Sequence, residues 1–192
     1  MKTFLVAGFV VIASLVATGT GWAQNIGGGV KIGVNFATVS GDIGATDKSI
    51  RTGAVFGAFL TVPRGATVAF QPEFLYSMQG VKGKDGGTEF TAQIDEFQIP
   101  LLLRVGRNSG HFLVGPSIGF ITRAKFKSGS DEEDFKDDLK KADVGILVGA
   151  GVTINRFLIE GRYTAGMTNL NDDDSEGDNK SRVFSVLVGV GF

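Results

Sequence analysis

The chain has 192 residues, with 19 Lys and Arg against 20 Asp and Glu, so its formal net charge is −1. A balance of that kind argues against a nucleic-acid binder, which needs excess cation to neutralise phosphates. Cys is absent, which excludes a disulfide framework and any thiolate metal site, and the length suits one domain rather than two.

Met1 and Lys2 open the chain with a positive charge, and the segment 4–16 is apolar with only Gly and Ser interruptions. Gly21-Trp22-Ala23 places small residues where a signal peptidase needs them, so a signal peptide is expected over 1–23, cleaved after Ala23. A membrane anchor is the rival reading, but the run falls short of the roughly 20 apolar residues that span a bilayer. With no Cys near the cut, a lipid-anchored form is excluded. The single domain is then 24–192.

Eight segments of this domain alternate with period two, the mark of strands with chemically different faces. They are expected at 29–38, 52–62, 67–79, 95–105, 111–124, 142–154, 156–168 and 182–192. In the third, Val68, Phe70, Pro72, Phe74, Tyr76 and Met78 alternate with Gln71, Glu73, Ser77 and Gln79. In the sixth, Val144, Ile146, Val148, Ala150 and Val152 alternate with Asp143, Gly145, Gly149, Gly151 and Thr153. The second is apolar on both faces, which leaves its register open. Tight-turn chemistry stands at Pro63-Arg64-Gly65-Ala66, at Arg107-Asn108-Ser109-Gly110 and at Asn155-Arg156. The other connections, 39–51, 80–94, 127–141 and 169–181, are expected as long polar loops.

Short and long connections in alternation are what an all-β, eight-stranded, antiparallel up-and-down transmembrane barrel requires, with short turns periplasmic and long loops outside. Each segment is close to the length a tilted strand needs to cross hydrocarbon. The continuous apolar stripe would face lipid and the mixed face the lumen. Phe70, Phe112, Phe157 and Phe192 fall near one end of their strands, and Phe36, Tyr76, Phe97, Tyr163 and Phe184 near the other, as two interfacial girdles should. The alternative is a soluble barrel of the lipocalin type, with its apolar residues turned inward. The last segment sets Phe184, Val186, Val188, Val190 and Phe192 on one face, similar to the C-terminal signal by which outer-membrane barrels are recognised for insertion.

Several stretches resemble the PorT-like family of outer-membrane β-barrel proteins, small porin-family or OmpA-like eight-stranded barrels of Gram-negative bacteria. They are Gln71-Pro72-Glu73-Phe74-Leu75-Tyr76-Ser77 with Gly80, Phe97-Gln98-Ile99-Pro100-Leu101-Leu102-Leu103-Arg104, Gly115-Pro116, Asp143-Val144-Gly145 with Gly149-Ala150-Gly151, and Glu160-Gly161-Arg162-Tyr163. The resemblance covers nearly all of 24–192 and implies the barrel fold and an outer-membrane location. The founding members assist protein secretion and surface motility, so it also allows an accessory role in secretion.

By strand parity, Lys31, Arg104, Arg123 and Arg162 point into the lumen, as do Glu73, Glu96, Asp143 and Glu160. Opposite charges in equal number are expected to form a paired network, because an unpaired charge there would be costly. An eight-stranded barrel leaves just enough interior for side chains. The expectation is thus a filled lumen, against a narrow pore lined by these charges. Inward glycines at 115, 119, 145, 149 and 151 could leave space for a pore or make room for strand curvature or large side chains.

Two loops are acidic. Asp131-Glu132-Glu133-Asp134 with Asp137-Asp138 lies in the third, and Asp172 to Asp178 in the fourth. Asp172, Asp174, Glu176 and Asp178 space oxygen ligands as a calcium loop begins, but Val183 stands where the bidentate Glu belongs, so an EF-hand is excluded. Charge runs of this kind are usually solvated faces, and the alternative for these loops is weak binding of Ca²⁺ or Mg²⁺, bridging lipopolysaccharide phosphates, with no metal site assigned. His111 is the only His, and no Gly-x-Ser-x-Gly elbow accompanies it, so an enzyme is not indicated. Gly27-Gly28-Gly29 precedes a strand rather than a helix and is no phosphate loop. The reading is a non-enzymatic envelope protein without cofactor, binding or stabilising through its loops. A small porin and an accessory secretion barrel are its alternatives. Expected partners are outer-membrane lipid and lipopolysaccharide, the barrel-assembly machinery during insertion, and an envelope or secretion protein, with no nucleic acid.

Overall fold

A computed structural model describes residues 26–40, 47–85, 88–107, 109–128, 131–134, 142–168 and 180–192. The expected signal peptide and the loop residues Asp172, Asp174, Glu176 and Asp178 lie outside the described residues. The strands are β1 Gly27–Ser40, β2 Asp47–Pro63, β3 Val68–Asp85, β4 Thr88–Arg107, β5 Gly110–Ser128, β6 Asp131–Asp134, β7 Ala142–Ile154, β8 Phe157–Gly166 and β9 Lys180–Gly191. Every pairing is antiparallel, and β1 pairs with both β2 and β9 while β4 pairs with β5. The eight long strands therefore close into a barrel, with β6 as a short flap on the outer end of β5. At the seam, the Phe192 amide donates to the Gly28 carbonyl at 2.8 Å, and the Gly28 amide donates to the Phe192 backbone oxygen at 3.3 Å. Closure leaves no open edge in the ring, which is the condition for crossing hydrocarbon with strands.

The tight turns at 63–66 and 155–156 are present, and Arg107 pairs with Gly110 across the third, whose Asn108 lies outside the described residues. Gly65 adopts φ 137°, a conformation that glycine alone reaches without strain, and Asn155 turns the β7–β8 hairpin at φ 55°. The outer connections differ from expectation. The stretch 80–94, expected as a loop, is mostly paired strand, with register running from Gly80 opposite Gln93 to Asp85 opposite Thr88. The acidic run Asp131–Asp134 likewise pairs with Lys125–Ser128 as β6. Beyond the membrane both faces of a hairpin meet water, so backbone ladders persist there without the apolar alternation that marks a strand in sequence.

The faces are assigned by exposure. Val30, Ile32, Val34, Phe97, Phe112, Val148 and Ile159 point outward and are exposed, while Lys31, Glu73, Glu160 and Arg162 are buried inside. The outward apolar surface runs around the whole barrel, far beyond the few hundred Å² that a soluble monomer tolerates. A soluble barrel with an apolar interior is thereby excluded. Near the outer strand ends, Tyr76 packs between Phe56 and Phe97, with ring centroids 5.5 and 5.2 Å apart, and Phe36 meets Phe184 at 6.3 Å. At the opposite end Phe112, Phe157 and Phe192 are among the most exposed side chains. The double-faced β2 resolves as Phe56 and Leu60 outward with Val55 and Phe59 inward.

Candidate functional site

Within the span of the eight long strands, the described residues gather their buried polar side chains in the lumen. Passing up β3 from its tight-turn end, the inward residues are Gln71, Glu73, Leu75, Ser77 and Gln79, all buried. Each reaches a different layer of the interior.

The central layer is an ion cluster. Arg162 on β8 forms a two-pronged fork with Glu73 on β3, at 2.7 and 2.8 Å. Those two strands are four places apart in either direction around the ring, so the fork crosses the full width of the lumen. Lys31 on β1 enters from between them and donates to Glu73 Oε1 at 3.0 Å and Glu160 Oε2 at 2.9 Å. Its ammonium also lies 4.5 Å from the centre of the Phe59 ring. From the side opposite β1, His111 Nε2 sits 3.2 Å from Glu160 Oε1. Gln71 Nε2 completes the shell of Glu73 with a bond of 2.7 Å to Oε1. Two cations thus meet two carboxylates, with strands at the four quarters of the barrel contributing. Such burial is tolerable because planar guanidinium and carboxylate groups match, and neighbours use the remaining oxygens.

Toward the tight-turn end, Arg104 donates to Thr153 Oγ1 at 3.1 Å and Gln71 Oε1 at 3.4 Å, and lies 3.2 Å from His111 Nδ1. An imidazole carrying its proton on Nε2 accepts from Arg104 and donates to Glu160, linking this layer to the central one. Below it a cavity of about 310 Å³, lined by Phe59, Arg104, Arg156 and Phe192, forms the mouth at the tight-turn end of the barrel. Toward the outside, two apolar triads flank the lumen: Val55, Leu75 and Leu187 on one side, and Leu102, Leu113 and Leu147 on the other. Asn35 follows, donating to Ser77 Oγ at 2.8 Å and accepting from Ser185 Oγ at 2.7 Å. The outermost layer holds Glu96 and Asp143. Glu96 Oε1 accepts from the side-chain amides of Gln79 and, at 2.6 Å, Gln98. Asp143 Oδ2 accepts from Ser181 Oγ at 3.1 Å.

Of the eight charged residues expected inside, Lys31, Glu73, Glu160 and Arg162 come together, Arg104 borders them, and Glu96 with Asp143 form a separate group. Arg123 is a correction, because it stands on the exposed side. Asp95 pairs with Arg123 but Glu96 pairs with Ile121, so Thr122 is the extra residue of a β-bulge in β5. The bulge reverses the alternation beyond Ile121, turning Ala124 inward in place of Arg123. The inward glycines make room for charged neighbours. A Cβ at Gly151 would lie 2.7 Å from Glu160 Cγ and 2.8 Å from His111 Nε2, and one at Gly149 would lie 3.0 Å from Arg162 Cγ. His111 and Gln71 are members of the network that residue type alone did not single out. Strand parity places both inside, since Phe112 and Phe70 beside them face out.

A closed antiparallel barrel, apolar outside and charged within, has the form of a membrane-spanning β-barrel, and comparison with known families agrees. Residues 22–172 match the model of the outer membrane protein β-barrel domain. The chain belongs to that family. This outer-membrane barrel is also similar in fold to Ail, the attachment invasion locus protein of Yersinia pestis, at 16% identity and TM-score 0.51, covering 88% of this chain and 100% of that one. Neisserial surface protein A gives 14% identity and TM-score 0.53 over 86% and 97% of the two chains. OprG of Pseudomonas aeruginosa gives 13% identity and TM-score 0.50 over 87% and 95%. No curated protein sequence matches.

Proposed function

We propose that this outer-membrane barrel is a non-enzymatic envelope protein that acts through its outer loops while its lumen stays closed. The observation that carries the reading is the Arg162–Glu73 fork, which joins strands on opposite sides of the ring. A solute path would have to part that fork and the Lys31 and His111 contacts beside it, exposing buried charge at a cost of several kcal/mol. Planar-bilayer recording of refolded 24–192, with a heat-shifted gel band confirming the folded barrel, tests it. A silent folded protein is the expected result. Discrete, reproducible conductance steps would overturn it in favour of a small porin, with Lys31, Glu73, Glu160 and Arg162 as its selectivity residues.

The same proposal includes export through a signal peptide cut after Ala23, and insertion guided by the outward stripe Phe184, Val186, Val188, Val190 and Phe192. Mass spectrometry of the protein from outer-membrane fractions reads the first directly. For partners, the acidic runs in the third and fourth loops favour divalent cations that bridge to lipopolysaccharide phosphates. Ail was captured with a heparin analogue, sucrose octasulfate. A sulfated polyanion is a poor match for acidic loops, because like charges oppose association. The motifs similar to PorT-like barrels support one further reading, an accessory barrel of a secretion apparatus, which a stable co-purifying envelope protein would favour.

A further inference from the structure

The outermost luminal layer differs from the rest in having carboxylates without cations. Glu96 and Asp143 are both buried, and among the described residues neither makes an ion pair. The nearby Arg51 is engaged with the Gln79 carbonyl oxygen. Asp143 Oδ1 is buried with no hydrogen-bond partner. A cavity of about 10 Å³ lies here, lined by Gln79, Glu96, Asp143 and Ser181 together with Ala37 and Ile121. It is about large enough for one water-sized particle.

We propose that this cavity is a binding site for a single divalent cation, calcium in particular, held between the carboxylates of Glu96 and Asp143. Two carboxylates match the charge of one divalent ion, and the lining offers further oxygen: Ser181 Oγ, which now donates to Asp143 Oδ2, and, once its amide turns over from Glu96, the side-chain oxygen of Gln79. Hard oxygen ligands select calcium or magnesium over softer metals. Size decides between those two. Magnesium holds several of its waters, for which a cavity of about 10 Å³ has no room, whereas calcium exchanges water for protein oxygens in irregular geometry. The bound ion would tie β4 to β7 past the intervening β5 just beneath the outer loops, whereas the Arg162–Glu73 fork ties β3 to β8 across the full width of the lumen lower down. The site is independent of the acidic run at 172–178 and of what the loops bind.

Calorimetric titration of refolded 24–192 in detergent with calcium chloride, and separately with magnesium chloride, tests the proposal. The expected result is a calcium site with a stoichiometry of one that survives in an Asp172→Asn, Asp174→Asn double variant. Its affinity should fall roughly tenfold or more in Asp143→Asn and again in Glu96→Gln, because each removes one ligand charge. Magnesium should bind far more weakly. Calcium should also raise the unfolding midpoint of the unaltered barrel where magnesium does not, a readout that survives if a variant fails to fold. Calcium heat unchanged in Asp143→Asn and Glu96→Gln but lost in the loop variant would overturn the site, as would a folded barrel that takes up no calcium.

Discussion

On β3, Glu73 is held by Arg162, Lys31 and Gln71, whereas farther up the same strand Gln79 reaches a carboxylate, Glu96, that meets amides and no cation. Both carboxylates are buried inside one barrel and were placed there by the same strand alternation. The first is part of a charge-balanced chord across the lumen, and the second belongs to an acidic pair with Asp143. The difference separates two uses of buried charge. A balanced cluster fixes the strands and fills space, while an uncompensated pair demands something from solution to neutralise it.

Removing a cation from the balanced region should give the largest effect. Arg162→Ala leaves Glu73 and Glu160 to share Lys31, and should cost about 3–5 kcal/mol, the usual consequence of breaking a buried pair from one side. Urea unfolding in detergent, followed by the heat-shifted band, measures it. If the loss is under about 1 kcal/mol, solvent already reaches the cluster and the lumen is not closed. Next comes the contrast between faces. Val148→Arg puts a charge against lipid at mid-membrane and should cost about 2–4 kcal/mol. Gly149→Ser, whose Cβ would lie 3.0 Å from both Arg162 Cγ and the Gly161 carbonyl oxygen and so asks a slight shift of each, should cost less; the opposite ranking would mean that the faces are inverted. Smallest is Arg123→Ala, expected to change stability by no more than about 0.5 kcal/mol, since the side chain stands outside both charged layers. A large loss there would return Arg123 to the lumen and remove the bulge at Thr122.

Period-two alternation made the charged interior legible residue by residue, because lipid outside and packed polar groups inside impose opposite chemistry on neighbouring positions. Lys31, Glu73, Glu160 and Arg162 follow from parity alone. Which of them meet does not, since Arg162 is 89 residues from Glu73 in sequence and their contact depends on strand stagger around the closed ring. Arg123 escaped because one extra residue at Thr122 reverses parity without any mark in composition. The 80–94 hairpin escaped for a different reason: outside the membrane, apolar alternation is no longer required for pairing. The turns were readable because Gly65 and Asn155 carry their conformation in their residue type.

The most direct test of the two-region account is a side-by-side unfolding measurement of Glu73→Gln and Glu96→Gln in calcium-free, mildly alkaline buffer. The account predicts opposite outcomes. Glu73→Gln should be strongly destabilised, because Arg162 and Lys31 lose a counter-charge and one oxygen of the fork becomes an amide donor, while Glu96→Gln should match or exceed the unaltered barrel, because a buried charge without a counter-charge has been removed. Equal losses in the two variants would contradict it, and would mean that Glu96 is as well compensated within the barrel as Glu73.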